Sequence, residues 1–340
     1  MAGIPCPVLF IHGFDGTPAD WTEDGFPLYL VREGGFDPDL IRLFYYGLDG
    51  EGHYNNRGDC RQIAARLMGQ ASRRPEDLAS QVGTLSRDSL AKGGPAGVNI
   101  VAHSMGGLIA RYYLSRRTPD EYGTVYQGDV ARLIAIGTPH QGVALTKIVG
   151  LLSDSGSWLH LLRQVERLPL FNPRASEALQ QADDAIRWWQ QEARRPYLRQ
   201  VEAQEVDRLA SPALRQMQPG SVFLNELNAP GAMPTEVAYY NLYGDIRVIS
   251  TVTLASLSLY RQAISLGDLL VSVESARHLP NAKARAYAFP YTQRWSLSLW
   301  GGDARYQVQP WHKALPPSYH GNLRRHPGVQ AQVLHLIRKG

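Results

Sequence analysis

The feature that most constrains this chain is the pentapeptide Ala102-His103-Ser104-Met105-Gly106. The apolar run Val98-Asn99-Ile100-Val101 precedes it, and a helix-like stretch, residues 107–114, follows. A serine between a strand and a helix, with a small residue two before it and glycine two after, fits a nucleophile elbow. The turn is so tight that a side chain at either flanking position is expected to collide with the neighbouring strand or helix. Its geometry pushes the serine hydroxyl outward. Here Ala102 stands where glycine is common, which keeps the steric logic.

The surrounding sequence says what kind of sheet the elbow belongs to. Residues 7–11 form a continuous apolar run ending in His12-Gly13, as for a strand buried on both faces. Residues 40–45, 98–103 and 130–136 read as further strands, while 59–68 and 75–90 carry helical spacing, with Pro75 suited to a first helical position. Strands alternating with helices predict an α/β fold: a mostly parallel central sheet with helices on both faces.

The alternation breaks from about residue 145. Trp158, Leu161, Leu162, Val165 and Leu168 recur at helical spacing, and Leu179, Ala182, Ile186 and Trp189 share a second apolar face. This block predicts an inserted helical cap at 145–218, with 1–144 and 219–340 forming the core. Strand character returns at 237–243. Residues 246–265 are ambiguous between a helix and a hairpin, 284–289 are expected to be the last strand, and 327–337 a last helix.

Composition narrows the function class. A length of 340 residues, 44% hydrophobic and 19% charged, is ordinary for a globular enzyme. The net charge of +4 is not gathered into a basic stripe, so nucleic acid is not expected as a partner. No apolar run is long enough for a membrane span, and no signal peptide is visible, which leaves a cytoplasmic or a mature secreted form open. Cys6 and Cys60 match no zinc pattern and read as two separate thiols. Neither HExxH, a glycine-rich phosphate loop nor EF-hand spacing occurs, so no metal and no cofactor are expected. Oligomeric state has no signal.

A serine hydroxyl becomes a good nucleophile only when a base takes its proton, and the base needs a carboxylate to hold its tautomer. After an elbow the chain order is serine, acid, histidine. Asp268, in the turn Gly267-Asp268, is the leading acid, with Asp245 as its rival. Among the late histidines His320 is the leading base and His312 the main alternative; His326, His278 and His335 are weaker. Two backbone N–H groups are needed for the oxyanion, and Met105 and Phe14 are best placed to supply them. His12 and His103 read as structural, His12 by tying down the loop after the first strand.

With these residues in place the chain resembles the α/β-hydrolase superfamily, in its lipase and esterase branch. Residues 136–142 (Ile-Gly-Thr-Pro-His-Gln-Gly) are similar to a loop of bacterial lipases. Residues 219–228 are similar to a helix start common in triacylglycerol lipases and inositol-deacylase-like esterases. Gly267-Asp268 with Val271 and Ser275 resembles their acid-bearing turn. The resemblance spans roughly residues 7–145 and 219–337. It implies hydrolysis of acyl or lipid esters through an acyl-serine intermediate, under a mobile cap that touches lipid interfaces transiently. Alternatives are a small-ester carboxylesterase, an acyltransferase of the same fold, and a catalytically silent lipid-binding module. The calcium ligands of some bacterial lipases find no match, so calcium dependence is not carried over.

Overall fold

A computed structural model describes residues 4–68, 81–143, 211–254, 257–280, 283–300, 303–308 and 316–338. Its strands are β1 (Val8–Ile11), β2 (Ile41–Leu43), β3 (Val98–His103), β4 (Val130–Ile136), β5 (Ala238–Leu254), β6 (Leu257–Ser265), β7 (Ala284–Trp300) and β8 (Asp303–Val308). Six of them run parallel in the order β2-β1-β3-β4-β5-β7. Helices lie on both faces. This is the mostly parallel α/β architecture that the sequence leads one to expect.

Strand periodicity explains the two layers. Every residue of β1 and β3 is buried, yet successive residues serve different sides. Leu9, Ile11, Ile100 and Ala102 join the cluster containing the elbow helix Met105–Ser115 and the helix Cys60–Ala65. Val8, Phe10 and Val101 join the opposite cluster, with Trp21, Phe26 and the terminal helix Pro327–Arg338. Phe10, Trp21 and Phe26 form a tilted aromatic trio with centroids 4.8–5.7 Å apart. Each such pair adds about 0.5–1.5 kcal/mol beyond its buried area.

The C-terminal half departs from expectation in one respect. Strand β7 does not stop at residue 289 but continues to Trp300, and β8 follows it. Among the described residues β8 pairs only with Trp295–Trp300, so at Pro290 β7 has a described strand partner on one side alone, where a missing N–H is tolerated. The ambiguous stretch 246–265 is a hairpin arm: β5 runs on past the sheet and β6 returns antiparallel to it. A run of β-branched residues (Ile246, Val248, Ile249, Thr251, Val252, Thr253) favours the extended form. Together β6-β5-β7-β8 extend beyond the C-terminal end of β4, which pairs with β5 only as far as Leu242.

The predicted cap falls mostly on residues 144–210, outside the described residues, as do Trp158, Trp189 and any lipid contact through them. Of residues 211–218, Ala213, Leu214 and Met217 join the core cluster of the elbow helix. Ser211 caps the helix Pro212–Gln216, accepting from Leu214 N at 3.3 Å. Gln216 then bonds the Asp59 carboxylate and accepts from Cys60 N, at 2.9 and 2.8 Å. The helix expected at 75–90 is described as Val82–Ala91, residues 69–80 lying outside. Among the described residues no helix is long and apolar enough to cross a membrane.

Candidate active site

Ser104 sits at φ 53, ψ −125, a conformation costly for a residue with a Cβ. Its N–H extends the β3–β4 ladder to Ile136 O at 2.9 Å, and its carbonyl already accepts from Gly107 N at 3.0 Å. Strand therefore becomes helix within one residue. A Cβ at Gly106 would lie 2.6 Å from the Ile11 carbonyl oxygen, so only glycine fits there. On the other flank Ala102 is fully buried, in register with Ile11 and Ala135 of the neighbouring strands.

The structure brings Ser104, Asp268 and His320 together. His320 Nε2 stands 2.8 Å from Ser104 Oγ, and Nδ1 stands 2.7 Å from Asp268 Oδ2. Asp268 is fully buried, and its Oδ1 accepts from Leu270 N and Val271 N at 3.0 and 2.7 Å. Those bonds require a sharp turn, made by Gly267 at φ 61 and Leu269 at φ 75. The backbone closes the unit, with His320 N donating to Asp268 O at 3.0 Å. A carboxylate only accepts, so Nδ1 carries the proton and Nε2 is bare toward the serine. Gly137, at φ 59, lets the backbone pass beneath this pair: a Cβ there would lie 3.1 Å from Asp268 Oδ2.

Asp245 and His326 are occupied elsewhere. Asp245 Oδ1 accepts from Ser265 and Oδ2 from Arg247, at 2.6 and 2.5 Å. His326 accepts from Gly328 N at 3.0 Å, at the start of the terminal helix. His312 lies outside the described residues. Phe14 lies on the loop after β1, next in sequence to Gly13, at which a Cβ would come within 2.9 Å of Ser104 Cβ. Met105 is the first residue of the elbow helix, where an N–H has no partner within the helix.

Other contacts around the site have no local sequence signal. His103 Nε2 donates to His320 O at 3.0 Å, and its Nδ1 faces Arg324 Nη1 at 3.4 Å. Arg324 is held by Asp24 at 2.7 Å and Asp20 at 3.2 Å, and lies over the Trp21 ring. His140, on the loop after β4, donates to Asn241 Oδ1 at 3.0 Å and takes Arg111 on its other nitrogen at 3.4 Å. Arg111 is fully buried on the elbow helix and also bonds Leu227 O and Asn228 Oδ1, at 2.9 and 2.8 Å.

Burial lowers the pKa of three imidazoles, His12, His103 and His140. His12 falls to about 4, while His103 and His140 fall well below the usual histidine value, burial being seconded by Arg324 and Arg111 respectively. All three are neutral in the folded protein at pH 7. Unfolded, they take up protons near pH 6.5, so below that value the unfolded state binds more protons, for His12 down to about 4. Stability is fully present above pH 6.5 and is lost as pH falls, at up to about 1.4 kcal/mol per pH unit per group. Denaturant unfolding at pH 7 and pH 5 should therefore show a clear drop in midpoint; equal midpoints would contradict the burial of these rings.

A family model described as a domain of unknown function, DUF7379, matches residues 72–284, more than half of the chain. The chain belongs to the DUF7379 family. No curated protein matches it. Among solved structures, this DUF7379 chain is similar to a mature lipase from Bacillus licheniformis, BlEst2, at 12% identity and a TM-score of 0.42, over 98% of this chain and 92% of that one. It is also similar to EstA from Clostridium botulinum, at 10% identity and 0.45, over 99% and 87%. A third is a thermostable carboxyl esterase from Bacillus coagulans, at 13% and 0.36, over 100% and 91%. At such scores the likeness carries no argument about chemistry, which rests on the residues themselves.

Proposed function

We propose that the protein is a serine carboxylic-ester hydrolase acting on acyl esters through an acyl-enzyme. One observation supports this above all: the continuous run Ser104 Oγ–His320 Nε2 at 2.8 Å and His320 Nδ1–Asp268 Oδ2 at 2.7 Å, at a strained elbow. His320 takes the serine proton as Oγ attacks the ester carbonyl. Asp268 holds the tautomer and stabilises the imidazolium. The oxyanion is received by the N–H groups of Phe14 and Met105; losing one such donor costs about 2.7–4 kcal/mol of transition-state stabilisation in comparable enzymes. His320 then gives its proton to the leaving alcohol, and water repeats the sequence in reverse to release the acid.

Labelling by a fluorophosphonate tests the nucleophile directly. The reagent should attach at Ser104, and p-nitrophenyl esters should block the labelling and be turned over. A protein that neither labels nor hydrolyses any ester of an acetate-to-palmitate series overturns the reading. Within that series, a preference for the shortest acyl group would assign a small-ester esterase, and a preference for long chains a lipase.

A further inference from the structure

The segment after β2 is folded back on the loop that carries Phe14. Asp15 N donates to Asn56 O at 3.4 Å, Asn56 Nδ2 to Gly16 O at 3.0 Å, and Arg57 pairs with Asp15. Behind this contact lies an aromatic stack. The His12 and Tyr46 rings are 3.8 Å apart, and the Tyr46 hydroxyl donates to the His12 carbonyl. Tyr54 completes it, its hydroxyl 2.6 Å from His12 Nε2.

The hydrogen-bond roles here are fixed by elimination. His12 Nδ1 lies 2.9 Å from the Gly13 carbonyl oxygen, which can only accept, so Nδ1 bears a proton. Burial keeps the ring neutral, with its pKa lowered to about 4, so Nε2 is bare and Tyr54 must be the donor. Burial also raises the Tyr54 phenol above its ordinary value, so it keeps that proton. The consequence passes through one peptide unit. Gly13 O is held from the inside by His12 Nδ1–H and by Gly16 N–H at 3.2 Å. In a trans peptide, C=O and N–H point in opposite directions. Fixing this carbonyl turns the Phe14 N–H away from the His12 ring.

We infer that Tyr54 is a positioning residue for the oxyanion site: by donating to His12 Nε2 it stabilises the ring tautomer and orientation that hold the Gly13 carbonyl and so aim the Phe14 N–H. This rests on the ester-hydrolase reading above. In the opposite tautomer the bare Nδ1 would face the Gly13 oxygen, lone pair against lone pair, and the peptide would be pushed out of its orientation.

Tyr54→Phe removes the hydroxyl and little else. Its kcat on p-nitrophenyl butyrate should fall about tenfold or more with KM changed by less than about twofold, since the lost interaction exists only in the transition state. A thionoester replaces the carbonyl oxygen by sulfur, a weaker acceptor, so the ratio of ester to thionoester turnover reports on the oxyanion donors. That ratio should fall in Tyr54→Phe. A variant within about twofold of the parent in kcat, or one that is slower with an unchanged ratio, overturns the assignment. Nitrogen-15 NMR of the parent protein gives a check independent of turnover: His12 should carry its proton on Nδ1, and a proton on Nε2 overturns the assignment. A parent protein without ester turnover tells instead against the hydrolase reading.

Discussion

Asp268→Asn is expected to lower kcat by about 10⁴-fold with the fold intact, by analogy with the same change in other serine triads. The reason lies in how the carboxylate divides its bonds. Oδ1 accepts from Leu270 N and Val271 N, so an asparagine that keeps those bonds must place its oxygen there. Its NH₂ then faces His320 Nδ1, where Oδ2 stood at 2.7 Å. Because NH₂ only donates, Nδ1 must give up its proton and Nε2 must take one. The imidazole would then point a hydrogen at Ser104 Oγ and could not accept one. Kinetics on p-nitrophenyl esters beside a thermal melt would check this. Turnover within about tenfold of the parent would show that Asp268 does not set the tautomer.

Ser104→Ala should abolish turnover and fluorophosphonate labelling, with a fall in kcat of about 10⁴ to 10⁶. Alanine keeps the Cβ, so the positive φ strain is much the same in both proteins and the variant should fold. What disappears is the one oxygen within reach of His320 Nε2 among the described hydrogen bonds. Any activity surviving at parental level would have to come from another nucleophile, and the proposed chemistry would be wrong at its centre.

The candidate site was partly legible in the chain for a definite reason. The elbow is a local object: its strand, turn and helix lie within some twenty residues, and Gly106 is required by a clash with a neighbouring strand that any such turn would meet. Asp268 could be ranked above Asp245 by its turn, but what separates them is bonding. Asp245 is saturated by Ser265 and Arg247, partners twenty and two positions away, whereas Asp268 has one oxygen left for His320. Tyr54 had no signal, being one of 17 tyrosines, and its meaning arises only where it meets His12. The last strand was expected to end at residue 289; its continuation through Pro290 depends on the strand's place in the sheet, which only the fold sets.

Period-two and helical patterning, together with turn residues, determined the layers, the parallel sheet and the place of the serine, since these depend on neighbours a few positions apart. The tertiary structure alone decided which imidazole reaches Ser104, 216 positions earlier in the chain, which carboxylate holds it, and how the oxyanion loop is braced. Hydrogen bonds are effective over about 3 Å, and no pattern along the chain specifies which distant groups the fold will bring that close.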